Sequence, residues 1–200
     1  MKKILLLLIL FLTGCTKYSD LNELAIIKSI GIMHNDEYTL YAEIIEEIDK
    51  ENNPKMQVIK TNSSNIEQLF ANLKLQINKE IYLSHIDLLL LDMNLTNKDY
   101  QDIIKYFLSN NELRNDFYCV ASKDILNVLE KSKYDEIEEL IDTNKESKDI
   151  INLTFEELIQ SFLDKKTFQI SLVDYQDKIV FNGNYQFQNN YLERLKNEET

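Results

Sequence analysis

Ile86-Asp-Leu-Leu-Leu-Leu91 is a nearly continuous apolar run near the middle of this 200-residue chain. A run this short predicts a strand rather than a helix, because buried helices usually extend over about ten residues or more. Strands that are apolar on both faces belong to sheets that helices cover. The run therefore predicts a central strand, buried on both faces, in a sheet with flanking helices.

Two amphipathic helices are predicted, one on each side of this strand along the chain. Ser64 and Glu67 form a capping box that opens a helix over residues 64–79, and Thr96 and Asp99 open the helix that follows the strand. Their apolar stripes are Ile66, Leu69, Phe70, Leu73 and Ile77 in the first helix and Tyr100, Ile103, Ile104 and Phe107 in the second.

Shorter apolar or alternating segments predict the rest of the sheet. The predicted strands are residues 24–32, 38–45, 56–61 and 116–121. The first two form a hairpin, the charged residues 46–54 form a loop, and Ser122 caps a helix after the last strand. The alternation of strands and helices over residues 56–131 favours an α/β fold with a mixed sheet, and α+β is the alternative.

A charged, weakly periodic stretch over residues 132–150 predicts a linker or a short exposed helix. It separates a main α/β domain, residues 21–131, from a small C-terminal subdomain, residues 151–200. In that subdomain Thr154 and Glu157 open a helix, and short strands follow it.

The first residues have the layout of an exported bacterial lipoprotein. Two lysines precede an apolar run over residues 4–12, which is too short to span a bilayer. Leu12-Thr-Gly-Cys15 resembles a lipobox, in which the Cys thiol receives a covalent diacylglyceryl lipid and the peptide is cut before it. A signal peptide over residues 1–14 and a lipidated tether over residues 15–20 are therefore predicted. An ordinary secreted protein with a chance Cys is the alternative.

The charge of the chain limits its partners. Without residues 1–14 it carries 20 basic and 34 acidic residues, a net charge near −14. Such a chain is a poor ligand for nucleic acid and is repelled by anionic lipid headgroups. The predicted lipid would therefore be its attachment to a membrane, and no nucleic-acid partner is expected.

The sequence lacks the common catalytic motifs. It contains no Gly-rich phosphate loop, no Gly-x-Ser-x-Gly elbow and no His-Glu-x-x-His helix. His34 is expected to be solvated in a turn, and Cys119 to be a small buried residue rather than a reactive thiol. His85 could contact a partner or donate to a backbone carbonyl where the central strand begins. A non-enzymatic protein without cofactor or metal is predicted.

Several short strings follow Cys15 in order. They are Leu21-Asn-Glu-Leu-Ala-Ile-Ile27, Ile30-Gly-Ile32, Tyr82-Leu-Ser-His85, Glu112-Leu-Arg114, Lys123-Asp-Ile-Leu126 and Gly183-Asn-Tyr-Gln-Phe187. With the lipobox they resemble the C-subunit lipoproteins of bacterial spore germinant receptors, over the N-terminal region of that family only. The chain departs at Met33, where the family usually has Asp. Family members usually continue into a C-terminal domain, so a reduced or split member, or a relative with another role, is expected.

The resemblance implies a non-enzymatic subunit on the outer leaflet of the spore's inner membrane. Its partners would be the integral membrane A and B subunits of a germinant receptor. The matching positions, which are candidates for partner contact or for fold roles, are Asn22, Glu23, Gly31, His85, Glu112, Arg114 and Gly183. Glu112 and Arg114 are two residues apart and would not face each other on a helix, so Arg114 is expected to pair elsewhere.

Two other functions stay open at this point. One is a solute-binding lipoprotein of a transporter, although such proteins usually need two lobes larger than the 186 residues after residue 14 provide. The other is a surface hydrolase, for which the sequence shows no pair of nucleophile and base.

Overall fold

A computed structural model describes residues 24–48, 54–77, 79–110, 113–132, 136–143, 149–164 and 167–195. Within these residues the chain forms ten strands and five helices. The strands are β1 (Leu24–His34), β2 (Tyr38–Ile48), β3 (Pro54–Ser63), β4 (Glu80–Tyr82), β5 (Leu88–Asp92), β6 (Tyr118–Ser122), β7 (Leu153–Thr154), β8 (Phe168–Tyr175), β9 (Ile179–Gln188) and β10 (Tyr191–Arg194). The helices are α1 (Ile66–Gln76), α2 (Asn97–Ser109), α3 (Ile125–Lys131), α4 (Glu136–Thr143) and α5 (Phe155–Leu163).

The strands form one mixed sheet. Their order is β10-β9-β8-β6-β5-β1-β2-β3, with β4 beside β1 and β7 beside β6. The central strands β8, β6, β5 and β1 run parallel, and antiparallel strands extend the sheet on both sides. The predicted α/β class with a mixed sheet and flanking helices is confirmed.

The apolar run that predicts the central strand forms β5, and every residue of β5 is buried. Leu89 and Leu91 belong to one hydrophobic cluster, and Leu88 and Leu90 belong to a second cluster on the opposite face. The prediction of a strand buried on both faces is therefore confirmed. The strand begins two residues later than the run, at Leu88.

Helices cover both faces of the sheet. On the first face, α1, α2 and α5 bury their apolar stripes in the larger cluster, and on the second face α3 and α4 do so in the smaller one. The sequence of α4 is charged, but Ile137 and Ile141 are buried in the second cluster. The predicted division of the chain at residues 132–150 stays a prediction.

Two predicted helix starts are confirmed, and the other two are wrong by one and by two residues. Thr96 with Asp99, and Thr154 with Glu157, form reciprocal capping boxes as predicted. The N-cap of α1 is Asn65 instead of Ser64, because the Asn65 side chain accepts a hydrogen bond from the Gln68 amide at 2.8 Å.

Ser122 does not cap α3 as predicted. It is the last residue of β6, still paired with Asp92 of β5. The N-cap is Asp124, whose carboxylate accepts a hydrogen bond from the Asn127 amide at 3.1 Å. The Ser122 hydroxyl instead accepts a hydrogen bond from the Asp124 amide at 3.2 Å, which fixes the turn between strand and helix.

The predicted loop over residues 46–54 is shorter than the charge pattern indicates. The backbone of β2 continues to Ile48, and Glu47 and Ile48 pair with Lys55 and Pro54 of β3. Long antiparallel strands tolerate charged side chains near a hairpin end, so charge alone does not mark where pairing stops. None of the helices that the structure describes has the length and apolarity needed to cross a bilayer.

Candidate functional site

Two of the positions predicted to have a partner-contact or a fold role lie at the same end of the sheet. His85 precedes β5, and Arg114 precedes β6. Because β1, β5 and β6 are parallel neighbours, the loops that lead into them meet at one end of the sheet, where β1 also begins. We call this the N-terminal end of the sheet, defined by Leu24, His85 and Arg114.

His85 is solvent-exposed at the N-terminal end of the sheet. Its ring lies 5.2 Å from the ring of Tyr82, measured between centroids, at an angle of 51°. Within the described part of the chain the imidazole makes no hydrogen bond, so the alternative in which it donates to a backbone carbonyl is not seen there. Both of its nitrogens are available to a partner.

Arg114 forms a two-point ion pair with Asp116. Its Nε donates to the Asp116 carboxylate at 2.9 Å, and Nη2 donates to the other oxygen of that carboxylate. The hydrogen bonds and charge of Arg114 hold the pKa of Asp116 below its usual value. Arg114 thus pairs with a residue other than Glu112, as expected. Both side chains are about 60% exposed (61% and 60%), so the pair contributes little to folding stability and remains accessible.

The loops at this end are tied to the sheet by Asp87. Its amide donates to the Lys28 carbonyl at 2.9 Å, and its carbonyl accepts from the Tyr118 amide at 3.0 Å. The Lys28 ammonium forms an ion pair with the Asp87 carboxylate. Lys28 stands at an irregularity in the pairing of β1 with β2, which lies between Ile27 and Ser29. Asp87 therefore anchors the segment that follows His85 to β1 and β6.

Glu43 is a buried carboxyl group near this end. It lies on β2 opposite Ser29, and only 2% of its surface is exposed. Burial raises the pKa of Glu43 to about 7, although a hydrogen bond from Ser29 and the charge of Lys28 lower it in part. Sequence patterning did not single out this residue, because Glu at an alternate position of a strand usually faces solvent.

The two predicted glycines have roles in the fold. A Cβ on Gly31 would lie 2.1 Å from Cγ2 of Ile125, so Gly31 lets α3 approach the sheet. Gly183 has φ of +100°, at a bulge where β9 pairs irregularly with β8. Four other predicted residues, Cys15, Asn22, Glu23 and Glu112, lie outside the described residues.

His34 is not the solvated turn residue that the sequence predicts. It is the last residue of β1, and its ring stacks on Tyr38 with 3.9 Å between centroids. His34 Nδ1 lies 2.6 Å from an Asp99 carboxylate oxygen, and the Tyr38 hydroxyl donates to the same oxygen at 2.7 Å. This polar cluster joins the first hairpin to the start of α2, at the end of the sheet opposite His85.

Asp99 is the centre of that cluster. Its other oxygen accepts hydrogen bonds from the Thr96 amide and hydroxyl, both at 2.7 Å. Burial alone would raise the pKa of Asp99, but the hydrogen bonds from Tyr38, Thr96 and His34 outweigh it and hold the pKa below its usual value. Four donors already occupy the carboxylate, so the arrangement fixes a helix and a hairpin rather than activating a nucleophile.

The described residues hold no group of three His, Cys, Asp or Glu side chains that could bind a metal ion. Cys119 is buried, as predicted, with 1% of its surface exposed. Burial raises the pKa of its thiol well above the usual value, which keeps the thiol protonated and unreactive.

The family comparison gives one match. A family model described as "Spore germination protein N-terminal domain" matches residues 17–175. The matched range includes β1 to β8 and the loops that carry His85 and Arg114. Neither a curated protein nor a solved structure matches the chain.

Proposed function

The chain belongs to the spore germination proteins through their N-terminal domain, and we propose that it acts as a non-catalytic subunit of a germinant receptor. The match over residues 17–175 carries this proposal. The geometry agrees with a binding role, because the polar cluster at Asp99 is committed to the fold, whereas His85 and the Arg114–Asp116 pair are exposed at the N-terminal end of the sheet.

We propose further that this end faces the membrane. The sequence predicts a lipid on Cys15, and β1 begins nine residues later, at Leu24. Nine residues reach about 30 Å when fully extended. A lipid on Cys15 would therefore keep the start of β1, with His85 and Arg114, close to the outer surface of the membrane.

In this position His85 and Arg114 would contact the integral membrane A and B subunits. An imidazole with both nitrogens free and an exposed guanidinium–carboxylate pair can exchange their water for polar groups of a partner. A net charge of −12 for the whole chain makes direct binding to anionic lipid unfavourable. A protein is therefore a better binding partner for these exposed groups than the lipid surface.

The test is dipicolinic acid release from spores that lack the gene, measured across a panel of germinants. We expect one germinant to lose its effect and the intact gene to restore it. A Cys15→Ala gene should fail to restore release, and a His85→Ala, Arg114→Ala gene should restore it weakly.

The matched control is Lys98→Ala, which removes an exposed charge in the first turn of α2, away from the N-terminal end of the sheet. This variant should restore release fully. Normal release from deletion spores with every germinant would contradict the germination role in this organism. Full restoration by the Cys15→Ala gene would contradict the lipid anchor but not the germination role.

A further inference from the structure

A groove of about 400 Å³ lies between the first turn of α2, the end of α5 and the turn after β9. Small-molecule sites in proteins usually have volumes of about 300–1,000 Å³. The lining residues are Asn97, Gln101, Phe162, Thr167, Phe187, Gln188, Asn189 and Asn190. None of these is ionisable, although 28% of the chain is Asp, Glu, Lys or Arg. The groove is therefore a neutral surface in an acidic protein.

The groove has an aromatic floor. Phe187 is buried and stacks on Phe168, with 5.0 Å between ring centroids and 10° between ring planes. Phe162 is half-buried and lies within 6.2 Å of Phe187 and 5.7 Å of Tyr100, again between centroids. These neighbours hold the Phe162 ring in place, so it offers a fixed apolar surface to whatever enters the groove.

The walls of the groove carry uncommitted amides. Within the described part of the chain, the side chains of Asn97, Gln101, Asn189 and Asn190 make no hydrogen bond. Each amide offers two donor hydrogens and an acceptor oxygen. Gln188 differs, because its amide bonds to Gln186 and Glu193. Four free amides therefore surround the aromatic floor.

The turn between β9 and β10 fixes two of these amides. Asn189 has φ of 53° and Asn190 has φ of 74°, both in the left-handed region. Two successive left-handed residues form the tight hairpin turn that matches the twist of antiparallel strands. The turn therefore holds the Asn189 and Asn190 side chains beside the groove.

We propose that this groove binds a neutral saccharide. A pyranose ring presents C–H groups that stack on the negative face of an aromatic ring. Its hydroxyl groups donate and accept hydrogen bonds, which matches free amides and leaves no charge to neutralise. This proposal does not depend on the receptor role, because the groove is lined by none of the three residues that define the N-terminal end of the sheet.

Saturation-transfer NMR with the full-length chain tests the proposal. The chain is solubilised in a detergent without a sugar headgroup, because a glycoside detergent would compete. The probes are methyl β-glucopyranoside and the trimer of N-acetylglucosamine, at millimolar concentration. We expect saturation transfer to the ring C–H protons, and a several-fold smaller transfer in the Gln101→Ala, Asn189→Gly double variant. Glycine keeps the left-handed turn at position 189, so this variant should fold normally.

Gln160→Ala is the matched control, since it removes an exposed amide of α5 that does not line the groove. It should leave the transfer unchanged. Stronger transfer to the trimer would support a glycan strand as ligand, and equal transfer to both probes would support a free sugar. The absence of transfer to either probe would overturn the proposal. It would also be overturned if the Gln101→Ala, Asn189→Gly double variant and the Gln160→Ala control gave equal transfer, or if the blocked peptide N-acetyl-trialanine amide received as much transfer as the sugars.

Discussion

Glu43 makes folding stability depend on pH in a direction that is unusual for a carboxyl group. Its pKa is about 7 in the folded chain and near 4.5 without burial. The folded state therefore favours the protonated form of Glu43, so the contribution of this group to stability is greatest below pH 4.5 and falls as the pH rises from there through 7. The difference between the two pKa values corresponds to about 3 kcal/mol.

Glu43→Gln should remove this dependence, because an amide stays neutral at every pH. We expect the variant to be more stable than the parent by up to about 3 kcal/mol at pH 8 and by less than about 1 kcal/mol at pH 5. Urea unfolding at the two pH values measures the difference. An equal effect at both would show that Glu43 titrates normally.

Gly31 limits how closely α3 packs on the sheet. In Gly31→Ala the new Cβ would overlap Cγ2 of Ile125, since the two would lie 2.1 Å apart. Overpacking of this kind costs about 1–3 kcal/mol of unfolding free energy. Ile125→Ala removes the overlapping atom, so the double variant should be more stable than the sum of the two single changes predicts. Additive losses in thermal unfolding would show that α3 moves freely.

At the scale of elements, α2 begins where Asp99 joins it to the first hairpin. Asp99→Ala removes a capping carboxylate and leaves the buried Tyr38 hydroxyl with only Asp102, at 3.3 Å. We expect a loss of about 2–4 kcal/mol, measured by urea unfolding at neutral pH. Because the pKa of Asp99 is lowered, its contribution is present above its ordinary value of 3.8 and is lost as the pH falls below it.

Asp102→Asn is the control for Asp99→Ala. It removes charge beside the same Tyr38 hydroxyl but leaves the capping box of α2 intact. Its effect should be less than half as large. If both variants lose the same stability, the Tyr38 contact matters more than the cap.

Two helix starts and the central strand could be predicted because their signals are local. Thr96 and Asp99 are three residues apart, as are Thr154 and Glu157, and β5 is one short apolar run. Contacts between distant residues could not be predicted this way. His34 meets Asp99 across 65 positions of sequence, so a single polar residue in a turn gave no sign of its partner.

The candidate sites also differ in how much of each could be predicted from the sequence. The strings that carry His85 and Arg114 could be found in the sequence. The strand order was needed to show that both residues precede parallel strands at one end of the sheet. The groove could not be predicted at all. Its lining comes from α2, α5 and the turn after β9, which no sequence pattern brings together.

For the whole molecule, the larger hydrophobic cluster includes residues from both sides of the predicted boundary at 132–150. Tyr100 and Phe107 of α2 contact Phe155, Phe168 and Phe187, which follow that boundary. A shared core should unfold in one step. We expect circular dichroism and tyrosine fluorescence to report a single coincident transition. Two separate transitions would indicate that the C-terminal subdomain folds independently.

The position of β1 inside the sheet also has a mechanical consequence. β1 is flanked by β2 on one side and by β4 and β5 on the other, so both of its edges are hydrogen-bonded. A force that pulls on Leu24 along the strand would shear these two ladders, loading many hydrogen bonds at once. An edge strand pulled from its end would instead be peeled away one bond at a time. A strand in this position should therefore resist a pull on Leu24 better than an edge strand would.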